Sequence, residues 1–219
     1  MRITKSIGAF VFNSDQSFVD LANEKITCHI ERSNGTNEEI ATNISLAAFI
    51  ATAVLGEGKI IDDDAGGSFS ALCELGNYGA IPLQENESIV LQLTDLKSTK
   101  TYQVNGIEMP VQTLERLFMT EKVFLSGQKN RSFQVLDFDE AFIIGDFEKL
   151  RLTYPTDEGS QTVEYSKLEI RAISADLGLL RAGSFEQLQN TALSLVGVSD
   201  LEIFASNQVN IVLRDINKL

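Results

Sequence analysis

Between Glu87 and Met109 apolar side chains fall on alternate residues, first Ile89, Leu91 and Leu93, then Tyr102 and Val104. A period of two puts successive side chains on opposite faces of an extended strand. The stretch therefore predicts two half-buried strands, joined by a tight polar turn into an antiparallel pair. The same pattern recurs along the chain. Lys25–Arg32 carries Ile26, Cys28 and Ile30 on one face, then meets Asn34-Gly35, a hairpin turn signal, and Glu38–Ile44 returns as the partner strand. Further strands are expected at 68–75, 122–126, 132–138, 141–144, 149–154, 162–173, 201–205 and 208–214.

Helical spacing is short and rare. Ser45 is placed to cap a helix over Leu46–Leu55, with Gly56 following it. Leu114, Leu117 and Phe118 after Pro110 suit a short helix. Ser184 and Gln187 fit a capping box opening a third helix that ends near Val196 before Gly197. Strands do not alternate with long helices, so a parallel α/β fold is disfavoured. The expectation is an all-β, mainly antiparallel chain with two or three short helices, a jelly roll or β-sandwich. At 219 residues it divides into sandwich halves 1–110 and 111–219, or forms one elaborated domain.

Charge narrows the partners. Thirty-one acidic against 18 basic residues leave a net charge of −13. Such a surface repels phosphate backbones and anionic headgroups, so no direct nucleic-acid contact is expected. The basic group Lys129-Asn130-Arg131 reads as a solvated turn. Met1–Phe12 lacks the length and cleavage site of a signal peptide, and no apolar run could span a membrane. Synthesis in the cytoplasm is expected. Cys28 and Cys73 sit in apolar segments and read as buried free thiols.

Catalytic chemistry is sparse. The single histidine, His29, lies on the strand face opposite Cys28 and Ile30 and reads as solvent-side. With no second candidate base, no Ser-His-Asp or Cys-His arrangement can be built. Two cysteines and one histidine cannot furnish a zinc site without carboxylates. Phosphate-cradling glycine motifs are absent from the sequence. Carboxylates do cluster, at Asp62-Asp63-Asp64, at Asp137, Asp139 and Glu140, and at Asp157-Glu158. The first could offer oxygen ligands to a structural Ca²⁺, and Asp62, Asp63 and Asp64 are the metal candidates. No other cofactor, no small-molecule substrate and no enzyme activity are expected.

The order of strand, Asn-Gly turn, strand and short helix over Ile26–Leu55, followed by Leu83–Met109 ending Thr-Tyr-Gln-Val-Asn-Gly-Ile-Glu-Met, resembles the jelly-roll capsid proteins of tailless icosahedral bacteriophages, the membrane-containing, corticovirus-like kind. The resemblance covers about the first half of the chain. It implies a structural virion protein that associates with itself and other capsid proteins through its jelly-roll edges. It implies residence in the virion, near an internal membrane but not inserted in it. The chain is short for a double jelly-roll major coat protein, so major coat, minor shell and vertex roles stay open. The alternative is a β-sandwich binding module such as a spike, adhesin or carbohydrate-recognition domain.

Overall fold

Period-two patterning becomes strand through most of residues 1–53, 60–63, 67–176 and 191–219, which the computed structural model describes, with backbone alone at 60–63 and 175–176. These residues fall into two units, Met1–Thr120 with Ile216–Leu219, and Glu121–Asp215. The fold is all-β and mainly antiparallel, of the sandwich or jelly-roll class, with two α-helices among the described residues.

The first unit contains β1 (Arg2–Ile3), β2 (Ala9–Ser14), β3 (Lys25–Glu31), β4 (Asn37–Ser45), α1 (Leu46–Ala53), β5 (Ile60–Asp63), β6 (Ser68–Glu74), β7 (Ser88–Thr94), β8 (Tyr102–Ile107) and β9 (Glu115–Phe124) as far as Thr120. One sheet runs β1-β7-β3-β4-β9 and the other β5-β6-β2-β8. Alternation decides what each strand buries. β3 turns Ile26, Cys28 and Ile30 fully inward, and β2 does the same with Phe10 and Phe12. Each such side chain removed from water contributes roughly 1.5–3 kcal/mol. The Phe10 ring stacks on Phe49 of α1 at 6.1 Å, and α1 packs against β3 and β4 of one sheet and β6 of the other. Seven of the eight α1 residues are buried, so this helix is core rather than surface.

The hairpin expected at Asn34-Gly35 forms: β3 and β4 pair antiparallel, and Gly35 takes φ +83 in the turn. The pair expected over Glu87–Met109 does not form. β7 pairs with β3, whereas β8 pairs with β2 in the other sheet. Asp95–Thr101 is thus a crossing between sheets. The alternation was a true strand signal, but it marks burial and is silent about the partner. Gly106 on β8 pairs with Phe10 in continuous register. A Cβ there would lie 3.1 Å from Ile7 Cγ2, so close packing explains the glycine. The irregular register instead lies around Cys28, between β3 and β4.

The helix expected after Pro110 is absent, because Glu115–Phe124 is strand β9. Leu117 and Met119 are buried on alternate positions, and Ala41 pairs with Met119. Leu114, Leu117 and Phe118, at i, i+3 and i+4, satisfied a helical template that the sheet overrode. α1 begins where Ser45 predicted, with Ala48 N–H 3.5 Å from Ser45 Oγ. Gly56 lies outside the described residues.

The second unit contains β10 (Asn130–Gln134), β11 (Glu140–Ile144), β12 (Lys149–Thr156), β13 (Gly159–Ser166), α2 (Lys167–Asp176), β14 (Thr191–Ser194), β15 (Asp200–Phe204) and β16 (Val209–Lys218) as far as Asp215. Its sheets run β16-β11-β14 and β10-β15-β12-β13. Phe124, Ile143, Leu150, Leu201, Ile203 and Ile211 lie in its continuous core. The strand expected over 162–173 stops at Ser166, where α2 begins. A capping box explains the switch: Ser166 N–H and Oγ–H each donate to Glu169 Oε2 at 2.7 Å, and Glu169 N–H returns to Ser166 Oγ at 3.3 Å. Of the helix expected over 184–196, residues 184–190 lie outside the described residues and Thr191–Ser194 is strand β14, paired with β11.

Candidate assembly surfaces

The crossing between β7 and β8 is fastened by two carboxylates. Glu24, 2% exposed, accepts N–H bonds from Ala22 at 2.8 Å and Asn23 at 3.0 Å. Its other oxygen accepts the Tyr102 hydroxyl at 3.0 Å and the Gln16 amide at 3.3 Å, with Lys97 Nζ at 3.5 Å. Burial pushes the Glu24 carboxyl up, but these donors outweigh burial and hold it at about 2. Burial also raises the Tyr102 phenol, and its hydrogen bond to Glu24 adds to that. Asp15 grips the other end of the crossing, accepting Thr101 N–H at 2.6 Å and Thr101 Oγ–H at 3.2 Å.

A third knot joins the β3–β4 hairpin to the entry of β7. Arg32 donates a two-pronged bond to Glu38 at 2.8 and 2.9 Å and a further bond to Glu87 at 3.0 Å. Glu87 also accepts Gln84 N–H at 3.0 Å, which with Arg32 holds its carboxyl below the usual range. All of these groups are satisfied within the fold, so they position strands rather than present chemistry.

Edges are the remaining surface. Among the described residues β8 pairs only with β2, and β13 only with β12. Beside the β8 edge, Met1, Val90, Leu91, Gln92, Leu93, Tyr102 and Val104 line an open, mostly apolar cleft with a volume near 470 Å³. The outer face of the second unit is different. Glu164 and Glu202 flank Arg151 there at 2.8 and 3.4 Å, with Lys149 2.9 Å from Glu164. Exposed pairs like these keep a face solvated and contribute little to stability.

The residues singled out from the sequence do not converge. Asp62 and Asp63 lie on β5, but their side chains and all of Asp64 are outside the described residues. Glu140 pairs with Arg214, while Asp157 and Glu158 are exposed in the β12–β13 turn. Among the described residues no group of three or more His, Cys, Asp or Glu could hold a metal ion. His29 is half-buried on β3 opposite Val90 and Glu39. Cys28 and Cys73 are free and buried, and burial pushes the Cys28 thiol up to about 12 and Cys73 higher still. Lys129, Asn130 and Arg131 are exposed where β10 begins. No described helix is long and apolar enough to cross a membrane.

No family model and no curated protein matches the chain. Solved structures do. The major capsid protein of bacteriophage PM2 matches over the whole chain and 91% of its own, with a TM-score of 0.58 at 10% identity. A conserved protein of unknown function from Pseudomonas aeruginosa PAO1 covers the whole chain with 80% of its own, at a TM-score of 0.25 and 7% identity. A turret protein of Sulfolobus turreted icosahedral virus covers 99% with 91% of its own, at 0.22 and 8%. The last two scores are too low to carry an argument. The first shows a fold shared with the phage PM2 major capsid protein.

Proposed function

We propose that this protein is a structural component of a virion, a coat, minor shell or vertex subunit that associates with itself and with other shell proteins. The supporting observation is the capsid-like fold shared with the phage PM2 protein across the whole chain. The surfaces agree with that role. The outer edges of β8 and β13, unpaired among the described residues, can extend a sheet into a neighbour or be covered by one. A net charge of −13 keeps separate copies soluble before they assemble.

Light scattering on a size column, over a range of concentrations, tests this reading. Trimers, pentamers or larger closed assemblies are expected. A particle of 24.1 kDa at every concentration would overturn it and favour a binding module instead. A chelator arm addresses Asp62, Asp63 and Asp64: assemblies bridged by calcium lose mass in EDTA, and unchanged assemblies remove calcium from the proposal.

A further inference from the structure

The crossing between β7 and β8 brings an amine, an amide and a carboxylate into mutual contact. Lys97 Nζ donates to Gln16 Oε1 at 2.9 Å and lies 3.5 Å from Glu24 Oε1. Gln16 Nε2 donates to that same Glu24 oxygen at 3.3 Å and to the Tyr102 oxygen at 3.2 Å. One carboxylate oxygen thus touches both the amine and the nitrogen of the amide. The lysine is held at both ends: its backbone N–H donates to the Tyr102 hydroxyl at 3.2 Å, and Nζ also donates to Asp20 O. Gln16 is 1% exposed, so its amide is shut away from water while the amine reaches it from a half-exposed side chain.

Aromatic side chains back the cluster. The Tyr102 ring tilts against Phe12 at 6.4 Å, and Phe12 stacks on Phe69 at 5.8 Å. Two conditions for joining an amine to an amide are therefore met. The reacting groups are held together, which replaces a bimolecular encounter by an intramolecular one. Water is kept from the buried amide carbonyl, so the nucleophile at hand is the amine. The cluster offers nothing to an outside substrate; its own members are the reactants.

We infer that Lys97 and Gln16 join in an isopeptide bond within one chain, with Glu24 carrying the proton. Glu24 takes a proton from the Lys97 ammonium. The free amine adds to Gln16 Cδ, and the bond from Cδ to Nε2 breaks. Nε2 leaves as ammonium, with the proton Glu24 carried and the one the new amide nitrogen sheds. A side-chain ammonium and a primary amide become a secondary amide and a free ammonium ion. Charge and electrons balance, and no oxidant or co-reactant is needed. An ionised Glu24 can accept the proton but is a weak base, so the reaction is slow and quickens as rising pH frees the amine. The bond ties the segment entering β3 to the β7–β8 crossing, between residues 81 apart, and closes a loop that unfolding cannot open. The inference stands apart from the shell-subunit reading.

The intact mass of the denatured full chain, followed through a week at pH 9, tests it. The wild type is expected to be lighter than its sequence by one ammonia, as purified or with time. Its digest should contain peptides carrying Gln16 and Lys97 joined to each other, and the linked chain should run ahead of the unlinked one on a denaturing gel. Lys97→Arg keeps the charge and removes the nucleophile, so it holds its full mass. Glu24→Gln, its fold checked by circular dichroism, links roughly 100-fold more slowly. A wild type that keeps its full mass throughout overturns the inference. So does an ammonia loss that persists in Lys97→Arg, which would come from another amide such as Asn34 beside Gly35. Joined peptides found only at twice the chain mass would overturn it too, because the bond would then lie between copies. Linking at an unchanged rate in Glu24→Gln overturns the role given to Glu24.

Discussion

Replacing Glu24 by Gln tests the crossing between the two sheets. The carboxyl titrates at about 2 in the fold against 4.5 ordinarily. That difference corresponds to about 3 kcal/mol at neutral pH. Gln keeps the shape, but its NH₂ must face either the Ala22 and Asn23 N–H groups or the Tyr102 hydroxyl and Gln16 amide. A donor facing donors leaves buried groups unpaired, so the total loss is about 2–4 kcal/mol. The pH profile distinguishes charge from shape. A carboxyl whose folded value lies below its unfolded value stabilises fully above about pH 5, fades through 4.5, and contributes nothing below about pH 2. Urea unfolding of wild type and Glu24→Gln at pH 7, 5 and 3 should therefore show a gap that narrows with acid, with over half of the charge contribution gone by pH 3. A gap under about 0.5 kcal/mol at pH 7, or one that stays constant down to pH 3, would refute the reasoning.

Arg32→Ala strands Glu87, 6% exposed, beside the β3–β4 hairpin. It should cost about 2–3 kcal/mol in urea unfolding, and Arg32→Lys should recover only part because the two-pronged bond to Glu38 is lost. Gly8→Ala drives a Cβ to 2.3 Å from backbone at Gly79 and should lower stability by about 2–3 kcal/mol. Gly35→Ala, with nothing within 4 Å, should cost only about 1 kcal/mol of left-handed strain, and thermal melts of the pair compare the two mechanisms. Neither cysteine should react with a thiol reagent in the native protein at pH 8, whereas both should react in denaturant. Rapid native labelling would contradict their burial.

What could be read from the sequence was whatever is local. The β3–β4 hairpin was legible because Asn34-Gly35 and the alternation on either side agree over about twenty consecutive residues. The separation of β7 from β8 was not legible, since their partners β3 and β2 lie elsewhere in the chain and the seven residues between them look like any polar turn. α2 was hidden by overlap: Val163 and Tyr165 continue the strand rhythm to the Ser166–Glu169 box that ends it. At the surfaces, the scarcity of catalytic side chains was plain from composition. The 79% exposure of Tyr78 was not, because exposure is decided by backbone packing around Gly8 and Gly79. The only trace in the sequence is the pair of glycines, Gly76 and Gly79, that brackets the tyrosine.

The placement of β2 has a consequence for synthesis. Its two neighbours are β6 and β8, and the second is complete only at Ile107, 93 residues after Ser14 closes β2 (107 minus 14). At roughly 5–20 residues per second, the ribosome takes on the order of 5–20 s to deliver that strand. Until β8 is made, Phe10 and Phe12 lack at least one of the two strands that flank β2. Yield should therefore respond to slower growth and to holding chaperones, the helpers that shield a nascent strand until its last neighbour arrives.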